Sequence, residues 1–371
     1  MSSVPALRES KFPHLDKLRA FAALSVVLYH VIEHGKWTTF PIDGPLVWGH
    51  IGWMGVDLFF VISGFVIYLN AFRLRETFDQ DWGRVFALHR LARIAPLYLM
   101  TLILYACLVE PAMLFWPLAQ MIFQGVTHAL FIHNLFPSAQ GAINGVNWSI
   151  GVEMQFYLFM FLAMPWLTRA KIWQILLVLC GIACLWKGMA FFLTPAAESH
   201  RLWFLTTQLP GDLDEFAFGI AACKLVLDQN ERASGRNAAR GIACIVAALL
   251  TATAMFSLFW TRPVYWDSWA AVIFFRSLMG LCGATIILAA IHFPFGCGRP
   301  GRLLSRAIDY LGEISYGIYL WHLPVIMSLK HLHLDPGVGL LAATVIATIV
   351  LASLSFHLVE RPWMQRARVV R

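Results

Sequence analysis

Charged side chains are scarce in this sequence. Asp, Glu, Lys and Arg make up 13% of its 371 residues, about half the share of roughly 25% usual in soluble domains. Long polar stretches are missing too, as are low-complexity linkers and clear internal repeats, which excludes a separate soluble domain and a repeat array. Cysteine is sparse: Cys107, Cys180, Cys184, Cys223, Cys244, Cys282 and Cys297 form no CxxC pair. Cys180 and Cys184 stand one helical turn apart, but no further ligands lie near them, so free buried thiols and no metal site are expected. The N-terminus lacks a small-residue cleavage site, so the first helix is expected to be an anchor and not a removed signal. Basic and aromatic residues do not interleave on a polar surface. The formal charge of +7 therefore reads as loop topology and contact with anionic membrane lipids, and no nucleic-acid partner is expected.

Apolar residues fill the space that charge leaves. They make up 59% of the chain, and mean hydropathy is +0.67. Runs of about 20 apolar residues, the length needed to cross a bilayer as a helix, follow one another with short connections. They predict an all-α, polytopic membrane protein of about ten transmembrane helices. The spans are 15–34, 52–71, 91–109, 147–168, 172–193, 210–228, 240–260, 269–291, 310–330 and 338–359. An eleventh stretch, 113–136, is weaker because it contains Gln120, Gln124, His128, His133 and Asn134. The positive-inside rule decides against it. With ten spans most of the 28 Lys and Arg fall on the cytoplasmic side, and an eleventh would move every later basic loop outside. Stretch 113–136 is then a non-spanning helical segment at the outer face, and both termini are cytoplasmic. The whole chain, 1–371, reads as one membrane domain with its core at 15–363.

Ionisable residues inside such spans are costly and are functional by default. His30 lies eleven residues after Arg19, about three turns and roughly 16 Å along one helix face. The topology puts Arg19 near the cytoplasmic surface. It puts His30, Asp57, Glu153 and His322, from four helices, at comparable depth in the outer half. Four such groups point to a wet cavity fit for acid–base chemistry; the plainer reading is a network that ties helices together. Gly52, Gly55 and Gly64 permit close helix approach around it. At the inner face HRLARIAP sets Arg90 and Arg93 three residues apart on one side of a helix. Two guanidinium forks there suit a phosphate or pyrophosphate, although ordinary positive-inside charge explains the spacing equally well. Arg19 makes a three-arginine cluster feasible. Cations inside and acid–base groups outside suit a large anionic donor that enters from the cytoplasm and reaches an acceptor beyond the membrane.

Several blocks carry a family resemblance. LDKLRAFAALSVVLYH, GVDLFFVISGF, RLARIAP, NWSIGVEMQFYLF, SYGIYLWH and VERPW follow in that order from Leu15 to Trp363. Together they resemble the acyltransferase-3 family of membrane acyltransferases. The resemblance implies ten core helices and transfer of acyl groups, commonly acetyl, from acyl-coenzyme A to carbohydrates and similar acceptors. It implies that Arg19 and His30 fill the Arg/Lys–ten residues–His motif, that Arg90 and Arg93 fill an Arg-x-x-Arg pair for the donor, and that Glu153 fills the first acidic position of its block. Asn147, Ser149, Tyr316 and His322 lie in the same blocks and are candidates to line the site. The chain departs from the pattern at Met154, where the second acid would stand, and at Lys17 and Ala20, where glycines are common. Many relatives carry an esterase-like domain after the membrane part; the expectation here is that it is absent.

The expected activity is thus an integral-membrane O-acyltransferase of the bacterial inner membrane, with acetyl-coenzyme A or another acyl-coenzyme A as donor substrate and no permanently bound cofactor. The expected acceptor is a carbohydrate or lipid-linked glycan. His30 is the candidate general base, since an imidazole titrates near pH 6.5, or a transient acyl carrier. Asp57 or Glu153 would orient its ring, as a carboxylate does in a catalytic triad. Arg90 and Arg93, assisted by Arg19, would hold the donor phosphates. The alternative is a transporter or flippase for a lipid-linked glycan, since many spans with buried charge also fit that class.

Overall fold

In a bilayer every backbone N–H and C=O must be satisfied within the protein, which leaves helices as the solution for an apolar chain without a barrel pattern. The computed structural model describes residues 12–42, 44–231, 238–260, 265–292, 299–331, 334 and 336–369. Cys297 lies outside the described residues. Among these there is no strand. The helices are α1 Pro13–Gly35, α2 Gly55–Phe78, α3 Trp82–Leu104, α4 Leu118–Ala129, α5 Trp148–Arg169, α6 Ile172–Leu193, α7 Ser199–Thr206, α8 Leu209–Glu231, α9 Ala238–Trp260, α10 Trp269–His292, α11 Arg299–Glu313, α12 Ser315–His331, α13 Val338–Ser355 and α14 Arg361–Val369. Among the described residues six helical stretches are long and apolar enough to cross a membrane: Leu46–Val109, Trp148–Arg169, Ile172–Leu193, Ala238–Phe259, Trp269–His292 and Val338–Arg368. The protein is an all-α polytopic membrane protein.

Two expected elements differ in detail. The span placed at 52–71 begins as a 3-10 helix, Gly44–Met54, and becomes α-helical at Gly55. The span at 310–330 is divided between α11 and α12 at Ile314, although helical hydrogen bonds continue across it from Ile314 N to Tyr310 O and from Ile318 N to Ile314 O, each 3.0 Å. Stretch 113–136 contains the 12-residue α4 and a short 3-10 turn at His133–Leu135. Phe131 between them adopts φ 56°. Twelve residues rise only about 18 Å, short of a hydrocarbon core of roughly 30 Å.

The residues gather into two compact units, each drawn from separated segments. The first comprises Met1–Leu18, Asp57–Trp82 and Leu158–Asp309; the second comprises Arg19–Val56, Gly83–Tyr157 and Tyr310–Arg371. Such interleaving leaves no linker to be read from composition.

In the first unit α6, α8 and α10 pack on one another and α9 packs on α10. The backbones of α2 and α8 meet directly. A Cβ at Gly64 would strike the Phe216 carbonyl, and one at Gly219 would strike the Val61 carbonyl, the close approach that small residues permit between membrane helices.

In the second unit α12 packs on α13, and a proline shapes α12 at the point that matters. Pro324 has no N–H, so the Leu320 carbonyl four residues earlier loses its helical donor. Asn144 supplies one from its Nδ2 at 3.0 Å. Asn144 itself stands at φ 51°, a left-handed conformation that asparagine tolerates better than most residues. This side-chain clamp fixes the turn of α12 that carries Tyr319 and His322.

Candidate active site

The second unit assembles most of the residues singled out in the sequence. His30 projects from α1 and His322 from α12, and His322 Nε2 lies 2.9 Å from His30 Nδ1. The rings are nearly parallel, with centroids 5.0 Å apart and planes inclined at 26°. The other nitrogen of His322, Nδ1, lies 2.6 Å from the Tyr319 carbonyl oxygen. His34, one turn along α1, brings its ring centroid to 5.4 Å from that of His30. His322 is fully buried.

The group that meets His30 Nδ1 is the His322 imidazole, a partner the sequence had not assigned to it. Glu153 accepts instead from the Tyr157 hydroxyl, 2.6 Å away and one turn later on α5. Asp57 falls in the first unit, where its carboxylate lies 3.6 Å from Arg276.

Tyr319, one turn before His322, ties α12 to the start of α5. Its hydroxyl donates to the Val146 carbonyl at 2.8 Å and lies 2.8 Å from Ser149 Oγ. Asn147 is fully buried; its Nδ2 donates to Ile143 O at 3.1 Å, and its own carbonyl accepts from His133 Nε2 at 2.9 Å. Tyr316 donates to the Ile94 carbonyl of α3 at 2.9 Å. Each of the four candidate lining residues thus donates to a backbone carbonyl, Ser149 to that of Val146 at 3.3 Å. Beneath Asn147 the rings of His133 and His128 stack at 4.3 Å. Burial, and secondarily the neighbouring His128, push the His133 imidazole down to about 3, so it is neutral.

A cationic group forms around α3. Arg90 lies over the rings of Phe86 and Tyr157, 5.6 and 5.9 Å from their centroids. Arg93 is 3.8 Å from Glu360 and donates to the Glu313 carbonyl at 3.4 Å. Arg19 interacts electrostatically with Tyr157 and Glu360, and Arg90 does so with Glu153 and Arg93. Three arginines and two glutamates therefore share one environment. Glu360 and Tyr157 were not distinguishable in the sequence, because a carboxylate in VERPW and a tyrosine in QFYLF resemble ordinary helix-end and helix-face residues.

The first unit holds a charged network that sequence reasoning missed. Lys187 donates to Asp214 at 2.7 Å and Arg276 to Asp212 at 2.8 Å. Ser277 also bonds Asp214. Lys187, Asp212, Asp214, Glu215 and Asp57 are all fully buried. A signal was present: GDLDEF puts three carboxyls within four residues of an otherwise apolar helix, and Lys187 and Arg276 are isolated cations in apolar runs. Such charges demand partners inside a membrane.

A family model described as an acyltransferase domain matches residues 12–357. The chain belongs to the acyltransferase-3 family. Among curated relatives of this family, the peptidoglycan O-acetyltransferase OatA of Listeria monocytogenes is 26% identical over 94% of this chain and 55% of its own length. YrhL of Bacillus subtilis, provisionally assigned as a peptidoglycan O-acetyltransferase, is 29% identical over 94% of this chain and 54% of its own. BcsY of Komagataeibacter xylinus, provisionally assigned as a membrane-bound transacylase, is 28% identical over 94% of this chain and 81% of its own. The chain spans about half the length of YrhL and OatA. No solved structure matches it.

Proposed function

We propose that this protein is an O-acyltransferase of the bacterial inner membrane. It moves an acyl group, acetyl by default, from cytoplasmic acyl-coenzyme A to a hydroxyl of a surface or exported glycan. The observation that carries this reading is the pairing, within one compact unit, of the His30–His322 couple, whose His322 is fully buried, with a three-arginine cluster. The names of OatA and YrhL support a glycan acceptor.

The residues divide the work. Arg90 and Arg93, with Arg19, hold the donor phosphates, for which planar guanidinium forks are suited. Glu153 and Tyr157 hold Arg90 in place. His30 removes the proton of the acceptor hydroxyl as its oxygen attacks the thioester carbonyl carbon. The carbon–sulfur bond then breaks, and the imidazolium returns the proton to the coenzyme A thiolate. In the alternative route the His30 ring attacks the thioester carbon, the carbon–sulfur bond breaks to release the coenzyme A thiolate, and the acceptor hydroxyl then takes the acyl group from the ring as its proton passes to the freed imidazole. Asp57 belongs to the charged network of the first unit and has a structural role.

The test uses purified protein, wild type and His30→Ala, with labelled acetyl-coenzyme A and glycan acceptors. Wild type transfers label and His30→Ala does not; full transfer by His30→Ala sinks the reading. The transporter alternative rests on the buried charges of the first unit, but Lys187 and Arg276 already have carboxylate partners there. Glycan flux in proteoliposomes without an acyl donor is the result that would favour it.

A further inference from the structure

Hydrogen-bond geometry fixes which atom of His30 reacts, and this rests on the reading of His30 as the reacting group. A carbonyl oxygen can only accept. Tyr319 O lies 2.6 Å from His322 Nδ1, so the proton of His322 sits on Nδ1. A neutral imidazole has one N–H, which leaves His322 Nε2 as a lone pair. That lone pair faces His30 Nδ1 at 2.9 Å. Two ring nitrogens at this distance need one hydrogen between them, so His30 carries its proton on Nδ1. The Val26 carbonyl, one turn earlier on α1, is a further acceptor for the His30 ring. A helical histidine reaches a carbonyl four residues back through Nδ1, as His128 does to Gln124 at 2.8 Å.

We infer that His322 is a positioning residue that locks His30 as the Nδ1–H tautomer and leaves its Nε2 as the atom that takes the acceptor proton or the acyl group. His322 thereby fills, with a neutral lone pair, the place that a carboxylate fills in a serine-hydrolase triad. When His30 Nε2 gains a proton, the Nδ1–H bond to His322 strengthens and stabilises the imidazolium. The order of donors, from His30 to His322 to the Tyr319 carbonyl, is set by the backbone. The Asn144 clamp on Leu320 and the Tyr319 anchor on Val146 hold that stretch of backbone still.

The experiment combines ring-15N-histidine magnetic resonance of the full chain in nanodiscs with steady-state kinetics. In wild type the His30 resonances, assigned by their loss in His30→Gln, show a protonated Nδ1 and a bare Nε2. In His322→Leu that tautomer is no longer enforced. The variant loses roughly 100-fold or more in kcat, the scale of a misplaced general base, with KM for acetyl-coenzyme A unchanged and an altered pH profile. His322→Gln places an amide oxygen where Nε2 stood and keeps most of the activity, whereas His322→Asn is too short and behaves like the leucine variant. The Gln variant separates positioning from folding.

A wild-type His30 with its proton on Nε2, or full activity in His322→Leu with an unchanged pH profile, overturns the inference. An Nδ1–H tautomer together with full transfer by His30→Ala instead leaves the tautomer standing and removes the catalytic reading of His30.

Discussion

Replacing Lys187 by methionine isolates the energetics of the buried network. Its ammonium and the Asp214 carboxylate are 2.7 Å apart and neither has solvent exposure. Methionine fits the aliphatic stem but abandons Asp214, which then has the Ser277 hydroxyl as its remaining side-chain donor in the network. Breaking a buried pair by removing one partner costs about 3–5 kcal/mol, most of it the stranded charge and not the lost bond. Asp214→Asn should cost less, because Ser277 still finds an amide oxygen while Lys187 can shed its proton. The double variant Lys187→Met, Asp214→Asn strands no charge and should recover at least about 2 kcal/mol of the single-variant loss, within the range of coupling seen between residues in contact. Reversible unfolding in mixed micelles, with all four proteins measured under one condition, provides the cycle. Strict additivity, or a Lys187→Met loss below about 1 kcal/mol, would show that Asp214 is solvated or already neutral, and the ion-pair reasoning would fail.

Arg90→Ala and Arg93→Ala should each weaken coenzyme A binding roughly 10–100-fold, as expected for lost hydrogen bonds to a charged group, and calorimetry with coenzyme A decides it; unchanged affinity in both leaves only their topological role. Tyr157→Phe removes the donor to Glu153 and should destabilise by about 1–3 kcal/mol, read in the same unfolding assay. Gly219→Ala drives a methyl into the Val61 carbonyl and should lower the melting temperature, whereas Gly125→Ala, with open space at its Cβ, should not. Acid should also destabilise through His133: its folded value is down at about 3 against roughly 6.5 unfolded. The unfolded chain therefore binds the extra proton between those values, so stability is full above about pH 6.5 and falls as pH drops towards 3. His133→Gln, which can still donate to Asn147, should flatten that fall in a pH series of unfolding measurements.

The long helices were legible because the bilayer imposes a length and a composition on them, and α5, α6 and α10 lie within a residue or so of their expected bounds. Counting charges in loops far from it argued against a span at 113–136, where the structure has the 12-residue α4. Of the site, the meeting of His30 with His322 and the grouping of Arg19 with Arg90 and Arg93 were foreshadowed by depth alone. Depth could not assign partners. Asp57 and Glu153 were expected at the level of His30, but depth does not say that Asp57 lies by Arg276 and Glu153 bonds Tyr157. The clamp by Asn144 was hidden because it joins a loop residue to a carbonyl freed by Pro324, 180 positions later. The division into two units was invisible for the same reason, since each is assembled from segments remote in the chain.

The charged network also bears on how the chain is made. Helix α6 carries Lys187 yet is long and apolar enough to cross a membrane. Helix α8, with Asp212, Asp214 and Glu215 in one stretch, is not among the six apolar stretches. An aspartate at the centre of a solitary helix adds about 2.5–3.5 kcal/mol to its insertion, and the three carboxyls here lie within the first two turns of α8. Lys187 precedes these carboxyls in the chain and Arg276 follows them by about sixty residues, so one cationic partner is already made when α8 emerges and the other is not. The ion pairs of the finished protein thus join helices made at different times, and Lys187–Asp214 is the first that synthesis makes available.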